Sequence, residues 1–150
     1  MAILKSFKKG DVIFKEGDRE SCMYFIAGPL EAKVAVYSGY ETESQKLLST
    51  LYVDEVFGEI AVFENNIRTG TAVAKSDVDL EVIDGEEFLT YVEKNKARCF
   101  SIVKNATKHL RDLTKDYMDA CRTIASYVSY KDKGEEVPEF VIDHMSKFIN

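Results

Sequence analysis

The sequence predicts a mainly β amino-terminal half, a sandwich or jelly roll, running into a helical carboxy-terminal half. Two observations carry this reading. Seven of the eight glycines lie within residues 1–85, among short β-branched and aromatic runs punctuated by Gly and Asp, as a series of short strands requires. From Asp84 onward glycine recurs only at Gly85 and Gly134, and helix formers such as Glu, Lys, Ala, Leu and Arg take over. The 150 residues are 45% apolar and 31% charged, the size and balance of one globular domain, which excludes disorder and most multidomain enzymes.

In chain order, Leu30, Ala32, Val34 and Val36 alternate with Glu31 and Lys33, the period of a strand with one buried face. Leu47 to Val53 and Val78 to Ile83 are further strand-length runs bounded by polar clusters. Asp84 followed by Glu87 resembles a capping box and predicts a short helix through about Glu93; Asn95 then suits the cap of a second, much longer helix. In that helix Val103, Ala106, Leu110, Leu113, Tyr117, Ala120, Ile124 and Tyr127 recur at alternating spacings of 3 and 4, a heptad seam. Over roughly residues 97–129 it would be about 50 Å long, more than a domain of this size covers on one face. One reading lays the helix on its own sheet; the other pairs it along the seam with a second copy. The seam keeps its period for three heptads, so a homodimer is expected. After Lys131-Asp132-Lys133-Gly134 the pattern stops. Following Val137-Pro138, the residues Val141, Ile142, Met145, Phe148 and Ile149 fall at helical spacing, which predicts a short tail docked by one apolar face on the domain or on the partner subunit.

Twenty Lys and Arg against 26 Asp and Glu give a net charge of −6, so no overall basic field draws the chain to phosphate backbones. No apolar run approaches the ~20 residues that cross a bilayer, and Lys5, Lys8 and Lys9 have no signal core behind them, so a cytoplasmic protein without membrane contact is expected. Cys22, Cys99 and Cys121 are an odd set without a C-x-x-C pair and read as reduced core or helix residues.

The segment from Phe57 to Ala74 has the physics of a small phosphate-ester site. Gly58 has no side chain to keep a ligand from the backbone, and one helical turn after it would aim the N–H groups of Ile60 and Ala61 at an anion. Arg68, nine residues beyond Glu59, can return across the loop with a guanidinium fork that matches phosphate oxygens. Thr69 and Thr71 add hydroxyl donors. Glu59 would repel a phosphate, but a carboxylate accepts hydrogen bonds from a sugar hydroxyl beside it. The same spacing also suits a plain salt bridge between Glu59 and Arg68 closing a β-loop.

These residues resemble the phosphate-binding cassette of the cyclic nucleotide-binding domain family, which reads F-G-E-[IL]-A-L, a short loop, then R-[ST]-A-[ST]-V. Here the match is Phe57-Gly58-Glu59-Ile60-Ala61-Val62 and Arg68-Thr69-Gly70-Thr71. A second match, Gly10 to Asp18 followed by Met23-Tyr24-Phe25-Ile26, resembles the G-x-x-[IL]-x-x-x-G-D turn and strand that open the family's roll. The resemblance covers roughly residues 5–130. It implies a double-stranded β-helix over about 5–84 carrying the cassette, helices over about 85–130 ending in a long lid and dimerisation helix, and a helical tail over 131–150 that is no separate domain. Residues 1–130 would then form one cyclic nucleotide-binding domain.

By resemblance, Glu59 would bind the ribose 2′-hydroxyl, Arg68 the cyclic phosphate, and the N–H groups of Gly58, Ile60 and Ala61 its remaining oxygens. Thr69 would reach phosphate or the purine edge, and Leu113, Thr114 and Tyr117 fall about where the lid helix meets the base. Three departures stand out. Around Gly28-Pro29-Leu30, where the family has an I-x-x-G turn, either one residue is missing or Pro29 stands for the glycine. Ile67 replaces a proline, and Gly70 replaces a small alanine in a way that loosens the loop. The implied ligand is cyclic AMP ahead of cyclic GMP, on family frequency alone, with no cofactor and no metal.

After the long helix only Tyr130 to Asn150 remains, acidic and without basic clustering, so DNA binding by this chain alone is not expected. Output would pass through an effector protein or another part of a longer protein. An enzyme is not expected: His109 and His144 have no metal or nucleophile spacing around them. The rival reading is a degenerate roll that no longer binds and serves as a dimerisation or docking module; the Glu59 and Arg68 pair speaks for binding.

Overall fold

Along Met23-Tyr24-Phe25-Ile26 every side chain is apolar or aromatic, so a strand there must be covered on both faces. The computed structural model, which describes residues 2–64 and 67–149 except the side chains of Phe148 and Ile149, shows how. Strand β3 (Cys22–Gly28) sits in a four-stranded antiparallel sheet of order β1-β8-β3-β6, with β1 at Ile3–Phe7, β6 at Val56–Phe57 and β8 at Val78–Asp84. A second antiparallel sheet has the order β2-β7-β4-β5, from Val12–Phe14, Thr71–Ala74, Lys33–Ser38 and Lys46–Tyr52. The two form a jelly roll. Between them Tyr24, Ile26, Phe57, Val78 and Leu80 of the first sheet pack on Phe14, Val34, Leu51, Ala72 and Ala74 of the second.

The alternate residues of β3 build a second core on the outer face. Met23, Phe25, Val56 and Ile83 pack there against Tyr91 of helix α2 (Phe88–Lys94) and Ile102 of helix α3 (Lys96–Asp132). The register that pairs Met23 with Ile83 and Tyr24 with Val82 keeps the two sets on opposite faces. Arg98 fastens the start of α3 to this face: its guanidinium lies 3.4 Å above the Phe25 ring and 3.6 Å from both Asp54 and Glu81.

Two predicted caps are corrected. Asp84 ends β8, and its carboxylate accepts the N–H of Glu86 at 2.9 Å in a turn, so α2 starts only at Phe88, after Glu87. Asn95 lies between α2 and α3, where its carbonyl accepts the Arg98 N–H at 2.9 Å; its side chain turns back and donates to the Tyr91 carbonyl instead of capping α3. The turn after β3 is closed from the Ala32 N–H to the Pro29 carbonyl at 2.8 Å, with Leu30 projecting into solvent.

By its contacts the chain divides into two compact units, Met1–Asn105 and Ala106–Asn150. The second unit holds the rest of α3 and helix α4 (Glu139–Ile149). Its α3 ends in a Schellman cap: Gly134 N–H donates to Lys131 and Glu135 N–H to Tyr130. Thr123, Val137 and Val141 are buried in this unit. The predicted tail contacts of Phe148 and Ile149 lie outside the described side chains. Along α3 the residues Val103, Ala106, Leu110, Leu113, Tyr117 and Ile124 are exposed, and Ala120 and Tyr127 are half-buried.

Candidate functional site

The candidate site sits where β6 gives way to helix α1 (Glu59–Phe63). The chain must reverse sharply after Phe57, and Gly58 does this with φ +75 at the N-cap, where L residues are strained. No side chain caps α1, so the N–H groups of its first turn have neither an intrahelical nor a capping side-chain acceptor. Ala61 is buried under the turn, Ile60 is exposed and Glu59 is half-buried. Asn65 and Asn66, in the loop that follows, lie outside the described residues.

Arg68 enters from the far side of that loop. It is a charged residue only 2% exposed, a costly burial that needs compensation. Its Nη1 donates to the Gly58 carbonyl at 2.9 Å, and its Nη2 donates to Glu20 Oε2 at 3.0 Å and Cys22 Sγ at 3.1 Å. The guanidinium lies 4.1 Å from the Phe14 ring centre and 5.4 Å from that of Tyr24. Phe14, Tyr24 and Phe57 in turn form a cluster with centroids 5.2 to 5.9 Å apart. A side chain on Gly58 would place its Cβ 2.6 Å from Arg68 Nη1, so glycine is needed for the close approach as well as for the turn.

The carboxylate on Arg68 is therefore Glu20, not Glu59, and the loop-closing Glu59 to Arg68 salt bridge is not formed. Backbone bonds explain how a residue 48 positions away arrives there. Arg19 bridges Ile67, Arg68 N–H donates to the Asp18 carbonyl, and Gly17 N–H donates to the Arg68 carbonyl, both at 2.9 Å. The Tyr24 hydroxyl donates to Glu20 at 3.4 Å. Burial, reinforced by the Cys22 thiol and Glu20, pushes its phenol above the ordinary value.

The other predicted site residues divide. Thr69 is exposed beside Arg68, whereas Thr71 is buried and its hydroxyl accepts the Glu16 N–H at 3.0 Å, tying β7 to the β2 turn. Thr114 belongs to the second unit, where its hydroxyl donates to the Leu110 carbonyl at 2.8 Å. Gly70 corrects an expectation: an added Cβ would lie 2.9 Å from the Tyr37 carbonyl and 3.0 Å from Val36, so this glycine seats the loop tightly against β4. Sequence reasoning missed Glu20, Cys22, Phe14 and Tyr24 as neighbours of Arg68. Nothing in their spacing marked them as partners of the arginine.

The family model described as "Cyclic nucleotide-binding domain" matches residues 4–95. The chain belongs to this family. Human cGMP-dependent protein kinase 2 is 36% identical to this cyclic nucleotide-binding domain over 84 residues, 55% of the chain and 11% of the kinase. A solved structure described as "cAMP bound PfPKA-R (141-441)" is 33% identical, with a TM-score of 0.53 over 61% of this chain and 31% of that one. The crystal structure of the Thermus thermophilus catabolite activator protein, 21% identical, shares the fold at a TM-score of 0.62, covering 89% of this chain and 64% of that one. The chain spans 11% to 48% of the length of the curated relatives it matches. Among the described residues no helix is long and apolar enough to cross a membrane.

Proposed function

We propose that this domain is a sensor that binds a cyclic nucleotide and passes the event on through a partner or through rearrangement of a homodimer. The observation that supports it most is the buried Arg68 guanidinium beside the uncapped first turn of α1, a pairing of fixed positive charge and free N–H groups that suits a phosphate diester. In this reading Arg68 takes the cyclic phosphate with the N–H groups of Gly58, Ile60 and Ala61, and Glu59 takes the ribose 2′-hydroxyl. Thr69 and Thr71 flank the phosphate.

The route outward begins at α1. Val62 packs against the outer core with Met23 and Tyr91, and the Phe63 ring meets Phe88 of α2 edge-on at 5.1 Å. A ligand that engages the first turn of α1 therefore acts on α2 through side chains already in contact, and the exposed seam of α3 supplies the surface for a second copy. One observation favours the rival docking-module reading: Arg68 already has a counter-ion in Glu20.

Calorimetric titration of the purified protein with cyclic AMP and then cyclic GMP separates the two, with 5′-AMP as the control that keeps the base and opens the phosphate ring. Micromolar or tighter binding of a cyclic nucleotide, cyclic AMP first, is the expected result. No heat and no thermal stabilisation from any of them would transfer the assignment to docking.

A further inference from the structure

We infer that Glu20 is a tethered competitor for the phosphate, whose carboxylate holds Arg68, must be displaced for the phosphate to bind, and so sets how tightly the site binds. This rests on the cyclic nucleotide reading and specifies how that site is regulated. A guanidinium so deeply buried needs an anion, and Glu20 supplies it with one oxygen to one nitrogen at 3.0 Å. The hold is incomplete. The same Nη2 is shared with Cys22 Sγ, Nε has no partner among the described residues, and the two-bond fork that makes arginine–carboxylate pairs strong is not formed. The Glu20 side chain is also 43% exposed, so it can turn out into water without opening the core.

The two partners are held very differently. Arg68 is fixed by the Gly58 carbonyl and the faces of Phe14 and Tyr24, of which only Tyr24 also touches Glu20, through a long hydroxyl bond of 3.4 Å. The backbone before Glu20 is equally fixed by the bonds of Gly17, Asp18 and Arg19 to residues 67–68. The part that can swing away without moving either backbone is the Glu20 side chain, 43% exposed. Binding is thus an exchange of one anion for another on a stationary cation: the carboxylate leaves, the singly charged cyclic phosphate enters, and the net charge around the guanidinium is restored. Each binding event must displace Glu20, which lowers the affinity the site would otherwise have.

Titration of wild type, Glu20→Gln and Glu20→Asp with cyclic AMP and cyclic GMP tests this. Glu20→Gln removes the competing charge at nearly constant shape and is expected to bind about tenfold more tightly. Glu20→Asp keeps the charge on a side chain one methylene shorter, is the milder change for the fold, and should fall between the two. If Glu20 only props Arg68 in place, both variants bind more weakly than wild type, and the inference is overturned while the binding reading stands. Binding by Glu20→Gln with none by wild type would support it in its strongest form, a site closed by its own carboxylate. If neither wild type nor either variant binds, the cyclic nucleotide reading fails and the inference falls with it.

Discussion

In the first unit Met23, Phe25, Ile26 and Leu80 are withdrawn from solvent between or behind two sheets, whereas in the second Leu110, Leu113, Tyr117 and Ile124 stand open along one stripe of α3. Both segments spend apolar residues at a regular period. The period of two closes on itself, because antiparallel sheets bring the inward faces together within one chain. The seam of the helix is a stripe on a single cylinder, and most of its described apolar residues are left exposed. The first unit thus covers both faces of its central strand within itself, whereas the second leaves one apolar stripe open.

The sharpest test sets one residue from each region side by side. Phe25→Ala should destabilise the fold by about 3–5 kcal/mol, since it empties a site shared by the Arg98 guanidinium and the outer core. Leu113→Ala should change the stability of the isolated chain by no more than about 0.5 kcal/mol, because its side chain is already in water. It should still shift the protein from dimer toward monomer in sedimentation. Equal destabilisation by both in urea melts would break the contrast.

Next in size, Arg68→Ala should weaken cyclic nucleotide binding by about 2–4 kcal/mol, read by calorimetry at fixed salt. Unchanged affinity would mean that the phosphate is held elsewhere. A smaller effect lies in alkali and again belongs to the first unit. Burial and the neighbouring Glu81 push the Tyr91 phenol up to about 12, and Tyr24 is also raised, while an unfolded tyrosine ionises near the ordinary 10.0. The folded state then holds its protons where the unfolded state loses them, so this contribution is complete below about pH 10 and is lost as pH rises through about 12. Chemical denaturation at pH 9, 10 and 11 should show falling stability in wild type and a shallower fall in Tyr91→Phe.

The fold was legible wherever one period ran long enough. The strands Lys33–Ser38, Lys46–Tyr52 and Val78–Asp84 cover most of the runs that alternation and strand length marked, although Leu30 falls in the exposed turn before β4 and Val53 just past β5. The 37-residue α3 follows from its seam. Short-range signals served less well. Asp84 and Asn95 both have cap chemistry, yet each carries a competing local bond, to Glu86 and to Tyr91, and the sequence does not say which bond wins. The candidate stretch from Gly58 to Arg68 stood out in the sequence because its parts are close together. Glu20 did not, because its role exists only once the Arg19 to Ile67 bridge has closed the roll. Gly70 looked like slack in the alignment and proves to be a tight fit, a distinction that depends on where the Tyr37 carbonyl ends up.

Strand β3 is a wall with a room on each side. Tyr24 faces the inner core and the Arg68 guanidinium, and its neighbours Met23 and Phe25 face the outer core with Tyr91 and Ile102. Successive positions answer to different occupants, so none is free to drift alone. Substitutions on β3 should therefore be tolerated less well than substitutions at the exposed Thr69 beside Arg68, whose side chain serves neither core. The same wall makes β3 the segment whose amides should be last to exchange with deuterium, since both rooms must be vacated before water reaches it.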